Sequence, residues 1–170
     1  MSNKLSITYA GLALFGIILG GCADYRFEIN DRLVYSPTPL FGDFLIKDQA
    51  LNDCVKQHIN SQGITAASQM ITLNCGHAGI KSLAGLEHFS ALEGIKLSYN
   101  SISDLRPLAQ FSHLKELYLD NNKLTHIKPL SALSKLEKLD LRGNPKLVCH
   151  QLENSLSRDR LEILLPSHCE

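Results

Sequence analysis

The stretch Leu114-Lys115-Glu116-Leu117-Tyr118-Leu119-Asp120-Asn121-Asn122-Lys123-Leu124 decides how the chain folds. Moving back 22 residues turns Leu114, Leu117, Leu119, Asn122 and Leu124 into Leu92, Ile95, Leu97, Asn100 and Ile102. A second step of 22 reaches Met70, Leu73, Cys75, Ala78 and Ile80. A forward step reaches Leu136, Leu139, Leu141 and Asn144, with Leu147 one residue late behind Pro145. The rest of the unit repeats as well: Leu83, Leu105 and Ile127 correspond, as do Leu86, Leu108 and Leu130, and Phe89, Phe111 and Leu133. A fixed period of this length means stacked coils, none of which buries its apolar row alone. Leu-x-Leu alternation turns two side chains inward and leaves the intervening ones on an open face. Asn100, Asn122 and Asn144 fall where the chain must bend, and a buried amide there satisfies backbone groups freed by the bend. The first coil departs from the pattern at Cys75 and Ala78, as expected of a unit that also meets a cap.

The pattern LxxLxLxxNxL resembles the leucine-rich repeat. The tail Ser103-Asp104-Leu105-Arg106-Pro107-Leu108 resembles the 22-residue unit of internalins. The resemblance covers about residues 48–170. It implies an α/β solenoid with parallel strands on the concave face and 3₁₀ or irregular segments on the convex side. Four leucine-rich repeats are expected over residues 70–147, the last one truncated.

A solenoid exposes its core at both ends and needs covers. Residues 48–69 read as a helical N-terminal cap, with Asp48 as N-cap and Gly63 just past the end of a helix. Leu51, Cys54, Val55, His58 and Ile59 share one face of that helix. Laying this face on the first coil brings Cys54 towards the inward-pointing Cys75, which predicts a disulfide. Residues 148–170 read as the C-terminal cap, in which Leu152, Leu156, Leu161, Leu164 and Leu165 can cover the last coil and Cys169 can close back to Cys149. Each bond would contribute roughly 3 kcal/mol in the chain-entropy picture. An alternative use of the second pair is a metal site made by Cys149-His150 and His168-Cys169, although the spacing matches no standard zinc module.

The fifth cysteine, Cys22, ends a different kind of segment. Lys4 is followed by an apolar, acid-free run from Leu5 to Gly21, a secretory signal pattern too short to span a membrane comfortably. It closes in Leu19-Gly20-Gly21-Cys22, which resembles the lipobox of bacterial lipoproteins. The resemblance implies a signal peptide over residues 1–21, cleavage before Cys22, and lipid on its sulfur and new amine. Ala23 after the cysteine points, within that family, to the outer membrane. The competing readings are an ordinary signal peptide with a chance cysteine, or an uncleaved anchor. Residues 22–47 then form a lipidated tether, within which Arg26 to Tyr35 could make a hairpin turning at Asn30-Asp31.

The chain has 17 basic and 17 acidic residues and lacks Trp. Neutrality implies neither a nucleic-acid footprint nor an acidic-substrate sink, and no nucleic-acid partner is expected; Leu and Ile must do most of the burying. The seven histidines are scattered, and no glycine-rich phosphate loop is present. No catalytic constellation or cofactor site follows, and an enzyme is not expected. Function falls instead on the outward rows, which stack every 22 residues: Thr72, Gly94, Glu116, Lys138; Asn74, Lys96, Tyr118, Asp140; Gly76, Ser98, Asp120, Arg142; and the loop column His77, Tyr99, Asn121, Gly143. Lys96, Ser98, Tyr99, Glu116, Tyr118, Asp120, Asp140 and Arg142 are the candidate partner-binding residues, because Tyr, Arg and mixed charge suit protein interfaces. Pairing of Lys96 with Asp140 across Tyr118, or of Asp120 with Arg142, would make the same residues a merely solvated face. The expected function is a monomeric, membrane-anchored scaffold for an unidentified protein partner. The alternatives are a surface adhesin or structural envelope component and, more remotely, a metal-binding protein or hydrolase.

Overall fold

The computed structural model describes residues 27–29, 32–35, 40–150 and 161–169. The expected signal segment, Cys22, the Asn30-Asp31 turn, and Leu152 and Leu156 of the expected C-terminal cap lie outside these residues. Two units are described separately. In the first, strands β1 (Phe27–Ile29) and β2 (Arg32–Tyr35) pair antiparallel, with Ile29 opposite Arg32. This is the hairpin register that the sequence allows. No helix among the described residues is long and apolar enough to cross a membrane.

The second unit is built on five parallel strands in sequence order: β3 (Thr72–Asn74), β4 (Gly94–Lys96), β5 (Glu116–Tyr118), β6 (Lys138–Asp140) and β7 (Glu162–Leu164). Leu73, Ile95, Leu117 and Leu139 face each other through the ladder and are buried. The flanking rows Met70/Leu92/Leu114/Leu136 and Cys75/Leu97/Leu119/Leu141 are buried too. So are the convex-side Phe89, Phe111 and Leu133, and the displaced Leu147. At roughly 1.5–3 kcal/mol for each fully buried large aliphatic side chain, these rows dominate the favourable side of folding. Short 3₁₀ segments close the coils at Leu86–His88, Arg106–Gln110 and Lys128–Ala132. Pro107 and Pro129 open the last two, where a fixed φ helps and a missing N–H costs little.

Three buried asparagines tie the coils together. Asn100, Asn122 and Asn144 accept from the N–H of Ile80, Ile102 and Leu124 at 2.9, 3.0 and 3.1 Å. Each also donates to two carbonyls in its own coil and one in the coil before. Asn122 reaches Leu119 O at 3.0 Å and Leu97 O at 2.9 Å. The carbonyls are shared: Leu97 O accepts from Asn100 and Asn122, and Leu119 O from Asn122 and Asn144.

The N-terminal end is closed by helix α1 (Gln49–Gln62), which buries Leu51, Val55 and Ile59. Asp48 caps it, accepting from Leu51 N–H, and Gly63 ends it at φ 63°. The second oxygen of Asp48 accepts from Lys81 and Ser82 N–H at 2.9 Å each, so one carboxylate staples helix to coil. Cys54 and Cys75 form the first disulfide, and Cys149 and Cys169 the second.

Two stretches differ from expectation. Residues 40–47, placed in the tether by sequence, pack on the first coil. Ile46 is buried, Phe41 N–H donates to Ile64 O at 2.8 Å, and Phe41 and Phe44 meet the Phe89 ring edge-on at 5.9 and 5.3 Å. Gly85 permits this approach, because a Cβ there would lie 2.3 Å from the Leu45 carbonyl oxygen. The reason is that Phe89, in the first coil, has no earlier coil to cover it. At the other end, Leu161 to Leu165 supply more than a cover. They include a fifth strand whose Ile163 pairs with Leu139, a step of 24 rather than 22.

Two outcomes follow. Asn122→Ala should cost about 3 kcal/mol in a denaturant titration, because the Ile102 N–H is left buried without an acceptor and three carbonyl contacts are lost. A loss well under 1 kcal/mol would show the ladder to be incidental. Asp48 should confer a pH dependence. Burial raises its pKa, but bonds from Leu51, Lys81, Ser82 and Ala50 N–H outweigh that and hold it below the ordinary 3.8. A depressed carboxyl stabilises above its unfolded pKa and loses that contribution as pH falls through the folded value. The stability gap between the wild type and Asp48→Ala should therefore be full at neutral pH and shrink below about pH 4. A gap that is constant down to acid pH would rule this out.

Candidate functional site

Three-residue strands put the first and third residue of each on the same side, so the concave face is a grid of outward rows. Tyr118 sits near its centre. Lys96 Nζ lies 5.2 Å and Lys138 Nζ 6.0 Å from the ring centroid, so the phenol is flanked by two ammonium groups. Its hydroxyl donates to Glu116 Oε2 at 3.3 Å. Burial pushes the Tyr118 pKa up and the Glu116 charge adds to this, so the ring remains a neutral phenol. Lys138 also meets Glu162 of β7 at 3.6 Å.

Arg142 and Asp140 pair with each other rather than with residues of other coils. Arg142 Nη2 reaches Asp140 Oδ2 at 2.6 Å and Nε reaches Oδ1 at 3.0 Å. Two positions apart on one strand-like stretch, the guanidinium fork meets the carboxylate directly. Asp140 is buried, so it is not an outward contact group as its row implied. Its hydrogen bonds hold the Arg142 pKa above the ordinary range. The same Asp-x-Arg pairing recurs at Asp104 and Arg106, again at 2.6 Å. Neither pairing anticipated from the rows, Lys96 with Asp140 or Asp120 with Arg142, is formed. Asp120 instead accepts from the Ser98 hydroxyl and from Asn121 Nδ2.

Beside the sheet runs a column of left-handed residues: His77 at φ 57°, Tyr99 at 57°, Asn121 at 54° and Gly143 at 64°. The His77 and Tyr99 rings stack at 4.2 Å, and Tyr99 is half exposed. Non-glycine residues in this region carry a cost of about 1 kcal/mol or more, and coil stacking must over-determine it. Gly143 has no such latitude, since its Cβ would fall 2.4 Å from Asn121 Oδ1.

Of the eight candidate residues, Lys96, Tyr99 and Glu116 are exposed, Ser98, Tyr118 and Asp120 are half-buried, Arg142 is exposed, and Asp140 is covered. Lys138 was present in the rows but not chosen, and its place beside Tyr118 joins it to the patch. The role of Gly94 was missed. Between Thr72 and Glu116 it leaves a notch of about 260 Å3, also bordered by Asn74, Lys96 and Tyr118. The row arithmetic carried that signal, because a residue without a side chain in an outward row is a gap. At the C-terminal end the sulfurs of Cys149 and Cys169 are bonded to each other, and His168 Nε2 lies 3.0 Å from Leu147 O. The disulfide leaves no thiolate to bind a metal with His168.

Residues 90–145 match the leucine-rich-repeat family profile. Among solved structures, an internalin (inlF) of Listeria monocytogenes is 22% identical with a TM-score of 0.56, over 70% of this chain and 43% of that one. Internalin C2 of the same organism is 25% identical with a TM-score of 0.58, over 69% of this chain and 53% of that one. This chain thus spans about half the length of either internalin. No curated protein sequence matches it. The profile, the likeness to both internalins and the five-stranded parallel ladder agree on one statement: the chain folds as a short leucine-rich-repeat solenoid with cysteine-closed ends.

Proposed function

We propose that this chain is a lipid-anchored envelope protein whose concave face serves as a scaffold for a protein partner. The observation that carries the binding reading is the sheet face itself. A phenol flanked by two ammonium groups, a half-exposed aromatic stack and a carboxylate-braced arginine lie together on one surface. Aromatic and arginine side chains on a pre-ordered surface are the groups that dominate protein interfaces. They lose little conformational freedom on binding when already fixed by the coils. Leucine-rich-repeat domains generally bind proteins through such a face. With only a few coils the contact area is modest, which fits a composite or transient interface better than an obligate one.

The anchor reading rests on the sequence Leu19-Gly20-Gly21-Cys22 after an apolar run. Two or three acyl chains at about 0.8 kcal/mol per buried methylene hold a protein stably on a bilayer. The odd cysteine is then accounted for, since the other four pair in the two caps.

Each half has its own test. In cells fed a clickable fatty acid, the chain should become labelled and Cys22→Ser should not; equal labelling of both would refute lipidation. A photo-crosslinker at position 118 in the native envelope should give discrete protein adducts, whereas one at the exposed, convex position 128 should not. Adducts that are the same from both positions would count against the concave face. Position 118 is preferable to position 142, because replacing Arg142 strips a buried carboxylate of its partner.

A further inference from the structure

The notch over Gly94 is not explained by the fold. Gly94 lies in an ordinary strand and not in the left-handed region. A Cβ at this position would come no closer than 3.4 Å to the Thr72 methyl, a contact that a small shift accommodates. Neither backbone conformation nor packing therefore demands glycine, and it borders a notch of about 260 Å3 that a larger side chain there would narrow.

The charges at its rim are the second observation. The other cations of the sheet face are neutralised: Arg142 by Asp140 at 2.6 Å and Lys138 by Glu162 at 3.6 Å. Lys96 has no carboxylate partner among the described residues and rests on the Tyr118 ring. Glu116 has no cation partner among them either and accepts only from the Tyr118 hydroxyl. One ammonium and one carboxylate thus border the same notch, both touching Tyr118, without pairing with each other.

We propose that this notch is a binding site for a zwitterionic α-amino acid. Its carboxylate meets Lys96, its ammonium meets Glu116, and an aliphatic side chain of moderate size fills the space that Gly94 leaves beside the Thr72 methyl. A free amino acid carries these three groups on one carbon, and the notch is bordered by an ammonium, a carboxylate and a residue without a side chain. Thr72 and Asn74 supply further polar contacts at the edge. A ligand with one charge would engage only one of these exposed rim groups, so a zwitterion gains a contact that either singly charged analogue lacks. The site lies on the face proposed above for protein binding but does not depend on it.

The test is a titration of the 15N-labelled full chain with leucine, leucinamide and N-acetylleucine, followed at the amides of Gly94, Lys96 and Tyr118. Leucine should give saturable shifts confined to this region, and each blocked derivative should bind about tenfold more weakly or worse. Lys96→Met and Glu116→Gln should each weaken leucine binding to a similar extent. Gly94→Val should abolish it while distant resonances hold, because valine suits a strand. The proposal is overturned if leucine gives no saturable shift, if the blocked derivatives bind as well, or if Gly94→Val binds like the wild type. If leucine fails in these ways while crosslinking from position 118 persists in Gly94→Val, the protein-binding reading stands without this site.

Discussion

Everything in the solenoid depends on how a bend in the chain is satisfied away from water. Every coil after the first turns from strand to convex side at a buried asparagine, and its amide bridges to the preceding coil. Because Leu97 O and Leu119 O each accept from two successive asparagines, the bridges form a continuous ladder rather than isolated clips. Apolar rows supply most of the driving force but are indifferent to small slips along the stack. The amides are not, since a slip would leave buried donors unmade. Hydrophobic burial therefore compacts the coils, and the ladder fixes their register.

The same logic accounts for the ends. In the register of the ladder, an asparagine at position 78 would address the amide of residue 58 and the carbonyl of residue 53. Both belong to α1, where backbone groups already bond within the helix. Ala78 is therefore no defect. What the helix needs instead is a link from its open N-terminus to the coil, and Asp48 provides it through Lys81 and Ser82. The disulfides reinforce the two places where a linear stack is most prone to fray, one tying α1 to the first coil and one closing the last.

The offsets of 22 residues made the repeats and the inward rows legible, and the helical spacing of Leu51, Cys54, Val55 and Ile59 against inward Cys75 made the first closure legible, because each follows from a period. What escaped had no period. Residues 40–47 precede the first repeat and show only the loosely spaced Phe41, Phe44 and Ile46, so their match to an uncovered Phe89 exists only in three dimensions. The strand of Glu162–Leu164 follows an interruption and steps by 24, which hid it from the arithmetic. Ion pairing was misread because rows suggest partners across coils, whereas Asp140 and Arg142, two residues apart on the same side, meet first. For the candidate site, the sequence located the face and its aromatic centre. It did not reveal which charges were already spent, and that distinction sets Lys96 and Glu116 apart.

The left-handed column beside the sheet also bears on how this chain can change over generations. At His77, Tyr99 and Asn121 the backbone is held where only glycine is at ease and asparagine is tolerated. Random replacement in such a column would drift towards those two residues, since each relieves strain without disturbing the stack. Retention of a stacked histidine and tyrosine runs against that gradient. The ring contact is thus made at the expense of backbone ease that glycine would restore, and the two positions are coupled, since losing either ring removes the stack that the other shares.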